Sequence, residues 1–370
     1  MAWASNKSGR AAIWSAQMSH VASQVVVEDI RQSEFERRLE KEGCNKPYTE
    51  QGLRRKDIAS FRIGLISGVR HSDGAPDGKT DRGRDMHYSH ALRHANQVSS
   101  SWAEGGIRAA VNLGNLIDRR AGDKSKDSLV SIRAALCDNF KTQTWRWRMQ
   151  DTHQYNEFQG DVLHLMGPHE LVHLTPADFT SAIGNCRQNT TAPHTEYYAI
   201  NLSPSWVLIF LDAMELSLLD KDMEKRMAAR DILEALKRKR EREYSTDCGA
   251  VGPQQLKWLR DVLEGARGQG QHCVVFSSIP LDPKLADRAK RDSLCWNWQQ
   301  VSDVLHSAAG VVTCCLSGHL EDCDHIVRDR TSRKKGVIEH VTLGSAILSG
   351  GEGKTEASYS VLELYDGVKV

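Results

Sequence analysis

The sequence predicts an α/β fold, and three observations lead to it. Short apolar runs with the length of buried strands recur along most of the chain. Segments with helical spacing separate them. Many of the runs end in a loop that carries glycine together with histidine or acidic residues, the place where α/β sheets present ligand-binding groups.

Taken in order, the chain opens with a segment that shows no strand pattern, residues 1–58, read as an N-terminal extension ahead of a domain spanning 59–370. Met1 to Val27 holds no acidic residue but includes Lys7, Arg10 and several serines, a weak likeness to a transit peptide. Trp3 and Trp14 are the expected anchors if this extension docks on a partner. Residues 28–41, EDIRQSEFERRLEK, are expected to form a charged helix with a thin stripe of Ile30, Phe35 and Leu39.

Strands are then expected at FRIGLIS (61–67), IRAAVNL (107–113), VLHLM (162–166), WVLIFLD (206–212), CVVFSS (273–278) and VVTCCL (311–316). VIEHVTL (337–343) and SYSVLELY (358–365) are later candidates. A helix is predicted to start at Thr175-Pro176-Ala177-Asp178, with Thr175 as cap and Pro176 in the first turn. Pro253 opens another, PQQLKWLRDVLEG, whose Leu256, Leu259 and Leu263 share a face. The stretch 220–243 reads as a long helix dense in charges of both signs, ending in KRKRER (237–242). Its Lys237, Arg238, Lys239 and Arg240 are read as solvated surface charges, with docking to an acidic partner as the sharper alternative.

Composition narrows the function classes. The 370 residues are enough for a large core, and 49 basic against 48 acidic residues give no net charge that would nominate nucleic acid or a membrane surface. No apolar stretch approaches the ~20 residues of a membrane helix. The nine cysteines show no zinc-type spacing, and Cys273, Cys314 and Cys315 fall inside apolar runs, where a cysteine acts as a small hydrophobe in a reducing compartment.

The loops that follow the strands are GVRHSD (68–73), GNLIDRR (114–120), GPHE (167–170), SIP (278–280) and GHLEDCD (318–324). With FLDAMELSLLD (210–220), QQLKWLRDVL (254–263), CWNWQQV (295–301) and EYYAINL (196–202), they make the chain resemble the calcineurin-like metallophosphoesterases, in particular the manganese-dependent ADP-ribose/CDP-alcohol diphosphatases. The likeness runs in unbroken order from about residue 60 to 365. It implies a four-layer sandwich, two central β-sheets flanked by helices. It also implies two divalent metals that generate a hydroxide and neutralise phosphoryl charge.

The family's ligand positions carry over as follows. Gly68 and Arg70 stand where the first loop would offer Asp and Gln or His. Asn115 stands at the bridging aspartate, while Asp118 keeps the second aspartate of that loop. Pro168 replaces an asparagine ligand, with His169, at the general-acid position, and Glu170 retained. Ser278 stands at a histidine. His319 is kept as a ligand position, and Glu321 replaces the histidine after it. Six of seven ligand positions therefore differ. A cation at Arg70 about 4 Å from a dication would cost about 8 kcal/mol at an effective dielectric of about 20.

Four readings stay open at this stage. The leading one is a catalytically inactive, metal-free and cofactor-free subunit of a larger complex, in which an Arg70–Glu321 salt bridge replaces a metal. Its expected partners are protein subunits, with tubulin or other axonemal proteins ahead of RNA and no membrane. Its expected place is intracellular, cytoskeletal or flagellar ahead of mitochondrial. The others are a metal-free nucleotide or ADP-ribose binding module, a mitochondrial ribosome-type subunit, and a diphosphatase with a rebuilt site on Asp118, His319 and Glu321.

Overall fold

A computed structural model describes residues 13–15, 25–31, 61–80, 83–107, 109–137, 140, 144–148, 155–159, 162–183, 196–239, 242–289, 292–308, 310–329, 337–348 and 358–365. Trp3 and Arg240 lie outside these residues, and Trp14 falls in the short strand Ile13–Ser15.

Two six-stranded sheets form the centre. The first runs Ile13–Ser15, Val25–Arg31, Ser358–Leu364, Phe61–Ile66, Ala109–Asn112, Val162–His164. Its last three strands are parallel, and Ser358–Leu364 is antiparallel to both of its neighbours. The second runs Tyr198–Asn201, Trp206–Leu211, His272–Ser277, Val312–Ser317, Val337–Thr342, Asp324–Asp329. Its four central strands are parallel, with an antiparallel strand at each edge.

Alternation along the strands builds two cores, because successive side chains leave opposite faces of a sheet. Ile63, Leu65 and Val111 of the first sheet join Leu208, Phe210, Phe276 and Leu316 of the second in one buried cluster between the sheets. Phe210 stacks on Phe276 with ring centroids 4.9 Å apart. The opposite faces bury Ile66, Ala110, Ile209 and Val275 against helices. The helix Ala91–Glu104 packs closely on the first sheet because Gly64 has no side chain: a Cβ there would meet Trp102 Nε1 at 2.5 Å. This is the expected arrangement of two central sheets flanked by helices.

The predicted helix starts form as expected. Thr175 Oγ1 accepts the Asp178 N–H at 3.1 Å and Asp178 returns the bond to the Thr175 N–H at 3.2 Å, opening Pro176–Ile183. Pro253–Gly268 and Met223–Lys239 are helical. Lys237, Arg238 and Lys239 are exposed in the last turn of the latter, where positive charge suits the helix dipole. Arg238 pairs with Glu234 at 3.7 Å. Cys273, Cys314 and Cys315 are buried, and burial pushes their thiols above the usual range. Among the described residues no helix is long and apolar enough to cross a membrane.

The expected strand-free extension over 1–58 differs from the structure, since Ile13–Ser15 and Val25–Arg31 are paired strands of the first sheet. The helix expected over 28–41 is a strand through Arg31: Val25–Arg31 pairs residue by residue with Ser358–Leu364. The pairing partner lies more than 300 residues away, so local periodicity carried no sign of it.

Candidate active site

The parallel strands deliver their loops to one end of the two sheets. Those following Phe61–Ile66, Ala109–Asn112, Val162–His164 and Val312–Ser317 border a cleft of about 370 Å³. The first two loops are tied by backbone bonds: Gly68 N to Gly114 O at 3.1 Å, Arg70 N to Asn115 O at 2.8 Å and His71 N to Leu116 O at 2.7 Å. Gly68 has a φ of 61°, and a Cβ there would overlap Ser345 Oγ, which itself donates to the Gly68 carbonyl at 2.8 Å.

Arg70 (φ 52°), Asn115 (φ 56°) and His319 (φ 71°) are the non-glycine residues with left-handed backbone among the described residues. All three stand at these strand ends. Such strain costs about 1–3 kcal/mol per residue and collects at functional sites. Asn115 joins two of the loops: Nδ2 lies 2.9 Å from His319 Nδ1, and Oδ1 accepts the His169 N–H at 3.2 Å.

Pro168 occupies the first position of the short helix Pro168–Leu171, where its missing N–H leaves no helical bond unmade. Glu170 is fully buried and serves as a clasp. Its carboxylate accepts N–H groups from Gly167 at 2.8 Å, Asn115 at 3.0 Å and Ile117 at 3.1 Å. Burial pushes its pKa up to about 7 against the pull of these donors. Ser278 is buried behind Gly114, whose Cβ would stand 3.1 Å from that of Ser278, and its Oγ has no hydrogen-bond partner among the described residues.

His169 and Asp118 form a buried acid–base contact in the cleft lining. Asp118 Oδ2 lies 3.2 Å from His169 Nδ1 and accepts the Tyr88 hydroxyl at 3.1 Å, while Oδ1 accepts the Arg120 N–H at 3.0 Å. Burial alone would raise the Asp118 pKa, but the hydrogen bond and charge of His169 and the charge of Arg70 hold it at about 2. Burial, and then Arg70, lower His169 to about 4. Desolvation and the Asp118 charge push Tyr88 up to about 12. At neutral pH the pair is therefore a carboxylate and a neutral imidazole. The Arg119 N–H also approaches Nδ1, at 3.4 Å; the shorter contact, to Asp118, places the proton on Nδ1 and a lone pair on Nε2.

Arg70, Lys79, Arg119 and Arg120 supply positive charge to the lining, opposed by Asp118, Asp247 and Glu321. Arg119 pairs with Asp247 at 2.6 Å, and the Arg120 guanidinium lies 5.2 Å from the centre of the Tyr88 ring. The expected Arg70–Glu321 bridge does not form among the described residues. Glu321 lies 3.9 Å from Arg84, and the carboxylate with the strongest influence on Arg70 is Asp118. Position 321 follows a strained turn at His319, so its side chain is set by that turn and by the 78–86 segment, neither of which is visible in the local sequence.

Sequence reasoning found Asp118, His169, His319, Glu321 and Arg70, and the fold brings them to one cleft. It missed Tyr88, Lys79 and Asp247, which belong to no strand-end motif. Arg119 and Arg120 were visible as the basic end of GNLIDRR but were assigned no role.

Two curated plant proteins match this chain. One, from Arabidopsis thaliana, is 25% identical over 273 residues, covering 70% of this chain and 79% of its own length. The other, from Oryza sativa subsp. japonica, is 26% identical over 305 residues, covering 78% and 84%. Among solved structures, a dimetal phosphatase from Danio rerio superposes with a TM-score of 0.68 at 23% identity, covering 84% of this chain and 94% of that one. No family model matches the chain. With the two-sheet architecture, the chain shares the fold of that dimetal phosphatase and is similar in sequence to the two plant proteins. Both plant relatives bear the name manganese-dependent ADP-ribose/CDP-alcohol diphosphatase.

These findings overturn the expectation of a catalytically inactive structural subunit. The matched relatives are named as diphosphatases and the matched fold is that of a dimetal phosphatase, and neither indicates a scaffold, a cytoskeletal or a flagellar role.

The two metals of such phosphatases do not fit the side chains present. Among the described residues no three His, Cys, Asp or Glu side chains gather into a metal-binding group. Gly68 has no room for a carboxylate, Pro168 and Ser278 are packed away from the cleft lining, and a guanidinium stands at position 70. Divalent manganese prefers oxygen and imidazole donors, and a cation in their midst opposes it.

Proposed function

We propose that this chain hydrolyses a phosphoanhydride bond in a nucleoside-diphosphate-linked substrate of the kind named for its plant relatives. The observation that carries the reading is the Asp118–His169 pair beside Arg70 in the strand-end cleft of a metallophosphoesterase fold. Neutral imidazole beside a carboxylate suits general-base work, because the carboxylate holds the ring in one tautomer and stabilises the imidazolium that forms.

In this reading His169 Nε2 takes a proton from a water, whose oxygen bonds to phosphorus as the bridging P–O bond breaks. The leaving phosphate departs as an anion and needs no proton. Asp118 holds the charged imidazole, and the basic lining faces the charge that grows on the phosphoryl oxygens. Imidazolium then returns its proton to solvent. No step is routed through a metal, since the donor set does not fit one.

The test is product formation from ADP-ribose and from a CDP-alcohol, followed by chromatography of AMP and CMP, with and without manganese. Wild-type protein should form product under at least one condition, and His169→Gln should lose it by about 10²-fold or more. Equal, background-level product from both proteins in every condition removes the reading.

A further inference from the structure

We infer that Arg70 is the phosphate-binding residue of the cleft and supplies, at a substrate diphosphate, positive charge that needs no divalent cation. This rests on the reading of the cleft as a phosphoanhydride site and adds to it a residue and a cation requirement.

The geometry sets Arg70 apart from the other cations nearby. Arg119 is paired with Asp247 at 2.6 Å, Lys79 with Asp85 at 3.0 Å and Arg84 with Asp322 at 2.5 Å. Arg120 lies over the Tyr88 ring. Arg70 makes no ion pair among the described residues, and its Nε is enclosed without a hydrogen-bond partner. The carboxylate with the strongest influence on Arg70, Asp118, has its oxygens engaged by the Arg120 N–H, the Tyr88 hydroxyl and His169.

A partly buried guanidinium that no carboxylate contacts directly is costly, and that cost is relieved when a ligand brings an anion into contact. A guanidinium fork matches two phosphate oxygens, and such charge-assisted pairs are among the stronger hydrogen bonds. Arg70 is also held at a left-handed backbone position, φ 52°, by its N–H bond to the Asn115 carbonyl at 2.8 Å. The same loop bond places it beside His169 in the lining. Because the donor set does not fit two metals, the Arg70 guanidinium is a group of the lining able to meet phosphoryl charge in their place.

Full-length protein dialysed against EDTA would be titrated with inorganic pyrophosphate by calorimetry, alongside Arg70→Met, Arg70→Lys and a surface control, Arg238→Met. Wild type and the control should bind pyrophosphate in EDTA. Arg70→Met should weaken that binding at least tenfold, and Arg70→Lys should weaken it by less. In the absence of ligand Arg70→Met should melt within a few degrees of wild type, because Arg70 makes no ion pair or side-chain hydrogen bond among the described residues. Pyrophosphate binding that appears only after manganese is added overturns the inference. So does an affinity unchanged in Arg70→Met or, should that variant not fold, in Arg70→Lys. Manganese-dependent turnover lost in His169→Gln would overturn the inference but keep the hydrolase reading. Binding in EDTA without turnover under any condition would do the reverse.

Discussion

Asp118 Oδ2 and His169 Nδ1 lie 3.2 Å apart, on loops that follow two neighbouring parallel strands. The relationship survives burial because Asp118 has further partners: the Tyr88 hydroxyl shares Oδ2, and the Arg120 N–H holds Oδ1. Replacing the carboxylate by its amide removes the group that stabilises imidazolium while keeping the shape. Asp118→Asn should lower kcat by about 10²- to 10⁴-fold with little change in KM. A variant as active as wild type would show that His169 does not work through Asp118.

Glu170 holds the site from beneath. Its carboxylate accepts backbone N–H groups from Gly167, Asn115 and Ile117 in a fully buried setting. Each donor left unsatisfied costs about 1–3 kcal/mol. Glu170→Ala should lose about 3–5 kcal/mol of stability in a urea titration, with the slope of the transition unchanged. A loss below about 1 kcal/mol would mean that the loops are held by other bonds.

Gly68 sets the limit on rebuilding the first loop. With φ at 61° and Ser345 Oγ in the space a Cβ would take, Gly68→Asp should be destabilised by about 1–2 kcal/mol from the backbone alone and by more from displacing Ser345. Adding Ser345→Gly to Gly68→Asp should recover part of the lost melting temperature. If Gly68→Asp melts like wild type, the turn is not as closed as the geometry shows.

Asp212 gives a pH dependence that lies apart from the cleft lining. Desolvation, followed by the charges of Glu196 and Glu215, raises its pKa from 3.8 to about 7. The folded chain therefore keeps a proton that the unfolded chain releases. Stability from this group falls as pH climbs from about 4 to about 7, and levels off above. Asp212→Asn retains an oxygen for the Met214 N–H, which Asp212 Oδ1 accepts at 2.9 Å, and removes the charge. Its melting temperature should exceed that of wild type at pH 8 and match it near pH 4. Parallel curves across that range would count against the assignment.

The eight predicted strand runs each contain a strand, because an apolar segment of that length has few ways to bury itself except inside a sheet. The starts at Thr175 and Pro253 were equally readable, since capping and the first-turn proline act over three or four residues. The strand Val25–Arg31 was not, because its stability comes from pairing with Ser358–Leu364 rather than from its own pattern. Local sequence likewise marked Asp118, His169 and Arg70 as the residues to watch. That Arg70 answers to Asp118, that Glu321 turns to Arg84, and that Tyr88 completes the Asp118 environment depend on left-handed turns at residues 70 and 319 and on contacts between distant loops. Side-chain chemistry is written locally; which charges face one another is decided by distance in three dimensions, and only the tertiary structure supplies it.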